Sequence, residues 1–192
     1  MKKIFTIIML CGVYCGYAQS LSRDYTQTTP PYAASTKTWT FGNQKWSDAI
    51  QIPACNKDIF EESNTDPQCR SKISLGKTYY YYNWAYVKEF AGVMCPSPWR
   101  VPTVDDFKLL IKVYTTAKEL IKNWGYGEAL IPVERGLPYG GYWSVTSTPD
   151  TSKTPDVIKS AYWLYYDSRS TPRVANEVKS VGLQVRCVCD VR

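Results

Sequence analysis

The side chains that could do chemistry in this 192-residue chain are thiols and carboxylates, because the sequence contains no histidine. Without an imidazole, the chain cannot build a Ser-His-Asp triad, a Cys-His dyad or a histidine-ligated zinc site from its own residues. A histidine general base is excluded for the same reason. The search for a site therefore begins with the cysteines and the paired acids.

Seven cysteines are present, two of them in an apolar N-terminal segment. The remaining five are Cys55, Cys69, Cys95, Cys187 and Cys189. In an exported protein such thiols pair as disulfides, and an odd number leaves one unpaired. Spacing alone does not fix the pairing, although a local Cys55–Cys69 bond would stabilise a polar loop by about 3 kcal/mol. Alternatively, Cys187 and Cys189 as two thiolates could hold a soft metal.

Two adjacent acid pairs, Glu61–Glu62 and Asp105–Asp106, are the carboxylates that a glycoside hydrolase would require. Neighbours in sequence point apart on a strand, which argues against a shared site for either pair. Asp105 and Asp106 also follow Thr103 with the spacing of a helix capping box. We therefore predict that this pair caps a helix and that the chain has no catalytic residues.

The N-terminus has the pattern of a secretory signal over residues 1–18. Lys2 and Lys3 precede the apolar stretch Ile4–Tyr17, and small residues at positions 16 and 18 predict cleavage before Gln19. The stretch is too short to span a bilayer, and Cys11 and Cys15 lack the small preceding residue of a lipoprotein signal. We predict a protein that is periplasmic, held at the outer surface or secreted.

Charge and composition limit the classes of partner. Loss of Lys2 and Lys3 with the signal lowers the net charge from +6 to +4, and the remaining basic residues are scattered, so nucleic-acid binding is not expected. No later segment is long and apolar enough to cross a membrane. Residues 19–37 are rich in Ser, Thr and Pro, which predicts a flexible leader before a domain over residues 38–192.

The pattern of elements in this domain predicts an α+β fold. An apolar stripe after the Thr103 capping box predicts a helix from Thr103 to Lys122. The aromatic run Tyr79–Tyr82 predicts a strand that is followed by a short helix ending at Gly92. Further strands are predicted at residues 142–146, 161–166 and 181–188, the last with Val181, Leu183, Val185 and Cys187 facing inward.

Four sequence blocks follow one another along the domain. The blocks are Tyr81-Tyr82-Asn83-Trp84-Ala85, Cys95-Pro96-Ser97-Pro98-Trp99-Arg100-Val101-Pro102-Thr103, Tyr142-Trp143-Ser144-Val145-Thr146 and Gly182-Leu183-Gln184-Val185-Arg186-Cys187-Val188. In this order they resemble the FISUMP family, the "Fibrobacter succinogenes major paralogous domain". The resemblance covers residues 39–190. It implies a C-type-lectin-like fold, with two helices packed beside a twisted, mostly antiparallel sheet with long loops.

The resemblance also implies covalent structure. Cys95 is expected to bond Cys187, and Cys55 is expected to bond Cys69. Cys189 stands where many relatives have Arg or Lys, so it is expected either to be the free thiol, open to alkylating reagents, or to compete with Cys187 for the bond to Cys95. Trp99 and Trp143 lie inside the blocks and are expected in the core.

The fold that the resemblance implies does not by itself imply calcium-dependent sugar binding. The E-P-N, Q-P-D and W-N-D motifs of such sites are not in the sequence, so no metal or other cofactor is expected. We expect a non-catalytic bacterial binding module that contacts a protein or glycan through its late loops, residues 147–180, and through the turn at residues 124–127. The candidate contact residues are Trp124, Tyr126, Tyr165, Tyr166, Arg169 and Arg173. The alternative is a metal-dependent oxidase related in fold to the formylglycine-generating enzymes, with Cys187-x-Cys189 as its metal site.

Overall fold

The computed structural model describes residues 29–53, 55, 65–74, 76–124, 139–148 and 160–191. Within these ranges the chain is α+β, with three helices, eight strands and two disulfides. The helices are α1 (Trp84–Met94), α2 (Val104–Val113) and α3 (Ala117–Trp124). The strands are β1 (Trp39–Phe41), β2 (Gln44–Ala49), β3 (Cys69–Ser74), β4 (Lys77–Tyr82), β5 (Tyr139–Ser147), β6 (Ser160–Asp167), β7 (Arg173–Val178) and β8 (Arg186–Asp190).

The strands pair antiparallel in three small sheets, ordered β1-β2-β8, β3-β4 and β5-β6-β7. The closing segment, residues 183–185 just before β8, connects all three sheets. Leu183 exchanges backbone hydrogen bonds with Tyr82 on β4, and Gln184 accepts from the N–H of Trp143 on β5 at 3.0 Å. Val185 then accepts from Ile50 just after β2, at 2.8 Å. The closing segment is therefore the point where the sheets are joined.

Two aromatic-rich clusters form the core. One contains Tyr82, Trp99, Trp143, Trp163 and the Cys95–Cys187 disulfide, with α1 against it. The other lies beneath α2 and α3 and contains Trp46, Phe107, Leu110, Leu120, Trp124, Tyr142 and Tyr166. The Tyr166 ring packs directly on the backbone of Gly140. Only glycine permits this contact, because a Cβ at residue 140 would lie 2.1 Å from the ring. Trp99 and Trp143 are buried, as expected.

The predicted capping box at the start of α2 is confirmed. The Thr103 hydroxyl accepts from the N–H of Asp106, whose carboxylate accepts from the N–H of Thr103 at 2.7 Å. Burial disfavours the ionised carboxylate and is the largest influence on its pKa. Hydrogen bonds from Arg100 and Thr103 outweigh burial, so the pKa of Asp106 lies below its usual value. Asp106 therefore positions the helix start, as the capping interpretation requires.

The predicted helix from Thr103 to Lys122 is wrong in its continuity, because the chain forms two helices. α2 ends at Val113, and Tyr114 has extended backbone angles, φ −99° and ψ 93°. Thr115 and Thr116 follow, and β-branched residues weaken a helix. The Thr116 hydroxyl accepts from the N–H of Glu119 at 3.4 Å, which caps the start of α3 as a separate helix.

Three other predicted boundaries differ from the structure. The predicted loop over residues 147–180 contains β7, whose side chains are too polar and too exposed to show the alternation of a strand. The predicted strand 181–188 is regular only from Arg186, and Gln184, Arg186 and Val188 on its other face are also buried. α1 continues past Gly92 to Met94.

Backbone pairing begins before the predicted domain start at residue 38. Ala33 forms a bridge with Ile50, and the N–H of Ala34 donates to Ala49 at 2.8 Å. Tyr32 and Ala33 pack against the core. Residues 1–28, which include the predicted signal and part of the leader, lie outside the described ranges.

Candidate ligand-binding groove

Two of the predicted contact residues are core residues. Trp124 is only 7% exposed and Tyr166 is fully buried, so neither ring is available as a surface anchor. Trp124 was expected in an exposed glycine-rich turn, but it is the last residue of α3 and packs against Trp46 and Tyr142. Tyr126 lies outside the residues that the structure describes.

The other predicted contact residues, Tyr165, Arg169 and Arg173, do lie close together at the end of β6. The guanidinium of Arg173 is 4.6 Å from the centroid of the half-buried Tyr165 ring, and the Tyr165 hydroxyl donates to Asp167. The backbone N–H groups of Arg169 and Ser170 also donate to that carboxylate, at 2.7 and 2.6 Å. These bonds fix a turn, so structure alone accounts for much of the cluster.

The pKa of Asp167 reflects the same contacts. Burial disfavours the charged form and is the largest influence on this pKa. The hydrogen bonds from Tyr165, Arg169 and Ser170 outweigh it and hold the pKa below its usual value. Asp167 is thus an ionised turn residue and not a raised-pKa acid of the kind that general acid catalysis uses.

A groove on another part of the molecule has the features of a ligand site. It has a volume of about 570 Å³ and lies among β2, the start of β4, the end of α3 and the closing segment. The lining residues are Ala34, Lys37, Trp39, Asp48, Gln51, Lys77, Thr78, Tyr79, Asn123, Trp124 and Gln184. The volume lies in the range of small-molecule sites, but the lining is more polar than usual, with three aromatic rings among mostly polar and charged side chains.

A buried arginine supports the aromatic side of the groove. Arg186 is 1% exposed, and its guanidinium lies 4.9, 4.4 and 5.0 Å from the ring centroids of Trp39, Trp124 and Tyr142. It donates to the carbonyls of Ser47 and Trp124 at 2.9 and 3.1 Å. These contacts fix the rings of Trp39 and Trp124 at the groove without using Arg186 as a surface residue.

Asp48 forms an ion pair with Arg186. Its carboxylate lies 3.4 Å from the Arg186 guanidinium, and it accepts from the Ser35 hydroxyl at 2.7 Å. The backbone N–H of Ala49 also donates to it, at 2.8 Å. Because the Arg186 guanidinium compensates its charge, Asp48 contributes little negative charge to the groove.

Gln184 gives the groove an unused polar group. The residue is 4% exposed, its backbone is held by β5, and its side-chain amide has no hydrogen bond to any residue that the structure describes. The amide atoms of Gln184 are not among the buried side-chain atoms that lack a partner, so the amide is open to the groove, where it can bond water or a ligand group.

A second depression of about 490 Å³ surrounds Trp84, between α1 and the end of β7. The Nζ atoms of Lys88 and Lys179 lie 5.6 and 4.4 Å from the Trp84 ring centroid. The Trp84 indole N–H donates to the Ser144 carbonyl at 3.0 Å. These contacts occupy both the ring and the indole N–H of Trp84. This depression therefore offers a ligand fewer hydrogen-bonding groups than the groove does.

The cysteines form the two disulfides that the resemblance implied, Cys55–Cys69 and Cys95–Cys187. Cys189 is free, but it is only 9% exposed, which contradicts the expectation of an accessible thiol. Burial raises the pKa of Cys189, so alkylation in the native state should be slow. Because Cys187 is bonded to Cys95, the two-thiolate metal site of the oxidase alternative is not formed.

Sequence reasoning missed most of the groove, because its residues come from five separated segments. Trp39 lies in a short strand, Asn123 lies on a helix that was predicted as a continuation of another, and Gln184 lies within a signature block. No local pattern marks them as a group. The one available signal was the glutamine between inward-facing apolar residues in the closing block.

Among the described residues, no group of three or more acids and cysteines is placed to hold a metal ion. None of the described helices has the length and apolar character that crossing a membrane demands. Glu61 and Glu62 lie outside the described residues.

No protein-family model and no curated protein sequence matches the chain.

Proposed function

We propose that this protein is an exported, non-catalytic binding module of the C-type-lectin-like class, which binds a partner of the cell envelope in the groove. The observation that carries the proposal is the groove itself, which is lined by the half-buried rings of Trp39 and Tyr79 and by the amide of Gln184. Export is supported by the N-terminal pattern and by two disulfides, which persist in oxidising compartments.

Contacts among the four FISUMP-like blocks support the family proposal. Cys95 in the second block is bonded to Cys187 in the fourth. Tyr82 in the first block bridges to Leu183 in the fourth, and Trp143 in the third donates to Gln184. Because the four blocks contact one another, they stabilise the same part of the fold, as the sequence blocks that define a family are expected to do.

The engagement of the reactive side chains supports a non-catalytic role. Asp106 is used by the helix cap and by Arg100, and Asp167 is used by a turn. Cys187 is held in a disulfide, and Cys189 is buried. A binding role needs none of these four groups, and their contacts account for each of them without catalysis.

Direct binding measurements test the proposal. The mature chain from Gln19 would be applied to immobilised cell-envelope polysaccharides and envelope proteins, alongside Trp39→Ala for the groove and Tyr165→Ala for the late-loop cluster. We expect Trp39→Ala to weaken the strongest interaction at least about tenfold, as buried aromatic anchors do, and Tyr165→Ala to leave it unchanged.

Melting temperatures provide the control, because both variants truncate an aromatic ring beside an arginine. Binding that survives Trp39→Ala but is lost in Tyr165→Ala would move the site back to the late loops. Binding that is insensitive to both changes would overturn the groove as the site.

A further inference from the structure

We infer that the groove binds an acidic oligosaccharide, one whose sugar rings carry carboxylate groups. This inference rests on the proposed function, in that it takes the groove to be the binding site. Three independent properties of the lining residues carry it: aromatic surface, unused amide groups and uncompensated positive charge.

The aromatic surface suits the C–H faces of pyranose rings. Trp39 and Tyr79 are half-buried at the groove, and Trp124 lies behind them. An aromatic ring has a negative face, which attracts the weakly positive C–H groups of a sugar. Arg186 fixes Trp39 and Trp124 from within the protein, so these rings are already positioned before a ligand arrives.

The amide groups suit hydroxyls, because an amide both donates and accepts. Gln184 has both its donor and its acceptor unused among the described residues. The amide nitrogen of Asn123 donates to the Tyr114 hydroxyl and to the Glu119 carbonyl, both at 3.1 Å, which leaves its oxygen to accept. Gln51 donates to the Thr78 carbonyl at 3.4 Å and likewise retains its oxygen.

Charge selects an acidic sugar over a neutral one. Lys37 and Lys77 are exposed at the groove, and neither forms an ion pair with a described residue. Asp48, the acid among the lining residues, is already paired with Arg186. Two ammonium groups are therefore available to a ligand carboxylate. The Lys37 ammonium lies over the Trp39 ring, 5.0 Å from its centroid, so a sugar that stacks on this ring would displace the ammonium toward the sugar carboxylate.

An acidic peptide would satisfy the charges but would use the amides less well. A peptide binds through backbone groups that pair with a free strand edge, and the edge of β4 opposite β3 is already used at Tyr82, which bonds Leu183, and at the Thr78 carbonyl, which accepts from Gln51. A sugar presents several hydroxyls to Gln184, Asn123 and Gln51 at once. We therefore assign the groove to a glycan and treat the peptide as an outcome of the test.

The experiment measures the affinity of the mature chain for four probes by calorimetry. The probes are a short oligogalacturonate, its methyl-esterified neutral form, a sulfated oligosaccharide of similar length and a glutamate-rich peptide of similar charge. We expect the oligogalacturonate to bind at least about tenfold more tightly than its neutral form, with affinity that falls as salt rises.

Three variants test the assignment within the groove. Gln184→Met keeps the shape of the side chain but removes the amide, so it should weaken oligogalacturonate binding about tenfold without lowering the melting temperature. Lys77→Gln should weaken the acidic probe and leave any residual binding of the neutral probe unchanged. Lys112→Gln, on the exposed face of α2, is the matched control and should change neither affinity.

The outcomes separate this inference from the proposed function. Equal binding of the neutral and acidic sugars, with loss in Trp39→Ala, would overturn the acidic inference but retain the groove. Tightest binding of the sulfated probe would overturn the carboxylate assignment, and tightest binding of the peptide would overturn the glycan assignment. Failure of all four probes at millimolar concentration would also overturn the inference, while the envelope-panel measurement with Trp39→Ala would decide the groove separately.

Discussion

At the scale of the residue, Arg186 links the core to the groove. A buried guanidinium needs partners for its charge and for its planar donors. Asp48 supplies the opposite charge, two carbonyls accept hydrogen bonds, and Trp39, Trp124 and Tyr142 supply aromatic faces. A lysine would bring the same charge but neither the planar fork nor the stacking surface.

The substitution Arg186→Lys should therefore lower the free energy of unfolding by about 2–3 kcal/mol, the range for losing hydrogen bonds of a buried charged group. Urea denaturation followed by tryptophan fluorescence would measure the change. Arg173→Lys is the matched control, because Arg173 also stacks on a ring but is exposed, and it should cost less than about 1 kcal/mol. Equal costs for the two variants would show that the Arg186 contacts contribute no more than a surface contact.

The sequence placed Arg186 in a recognisable block but did not show what it contacts. Its partners come from β2, α3 and β5, at sequence distances that no local pattern spans. The same limit explains the exposed role wrongly expected of Trp124. The glycine-rich residues after it favoured a surface turn, whereas its position at the end of α3 turns the ring inward against Arg186 and Tyr142.

At the scale of the element, local signals were reliable where they act within one turn. The Thr103 capping box predicted the start of α2 correctly, because both its hydrogen bonds join residues three apart. The break after Val113 was missed because the apolar stripe continues across it, from Leu110 to Ala117 and Leu120. β7 was missed because its residues alternate little in hydrophobicity, so only its pairing with β6 defines it.

The disulfides differ in what they join. Cys55–Cys69 connects residues 14 apart in sequence, whereas Cys95–Cys187 connects residues 92 apart, the end of α1 and β8. In the chain-entropy model the stabilisation grows with the length of chain enclosed. Cys187 also lies fully buried beside the closing segment that joins the sheets.

Replacing both cysteines of each bond by alanine should reveal this difference. The Cys95→Ala/Cys187→Ala variant should lose about 4–5 kcal/mol and the Cys55→Ala/Cys69→Ala variant about 3 kcal/mol. Urea denaturation of both variants under identical conditions provides the comparison. A larger loss for the short-range bond would contradict the model, since it would mean that loop length does not govern the stabilisation.

At the scale of the whole molecule, buried phenols help to join the sheets. The Tyr82 hydroxyl donates to the Ile50 carbonyl at 3.0 Å and accepts from the Ile52 N–H at 3.1 Å. The indole N–H of Trp143 donates to the Tyr82 carbonyl at 2.7 Å. One residue of β4 is thus bonded to β5 through its backbone carbonyl and to the segment that follows β2 through its phenol, so ionisation of the phenol would disturb the contacts with that segment.

This arrangement predicts sensitivity to alkali. Burial raises the pKa of Tyr82 well above its usual value, although the hydrogen bond from Ile52 opposes the shift, and burial also raises the pKa of Tyr86 and Tyr114. In the unfolded chain these phenols ionise near pH 10, so the unfolded state releases protons that the folded state retains. The stabilisation from the raised pKa is therefore fully present below about pH 10 and is lost as pH rises above it.

The Tyr82→Phe variant removes one of these phenols and so measures its contribution to the pH dependence of stability. At neutral pH it should be less stable than the wild type by about 1–3 kcal/mol, because the Ile50 carbonyl and the Ile52 N–H lose their partner. Above about pH 10 its free energy of unfolding should fall less steeply with pH than that of the wild type. The two slopes should differ by about 1.4 kcal/mol per pH unit, because one fewer group titrates on unfolding. Urea denaturation at intervals between neutral pH and pH 11 would measure both slopes, and every other titrating group is common to the two proteins. Parallel curves would mean that the Tyr82 phenol ionises equally easily in the folded and unfolded chains, and would contradict the rise in pKa that burial causes.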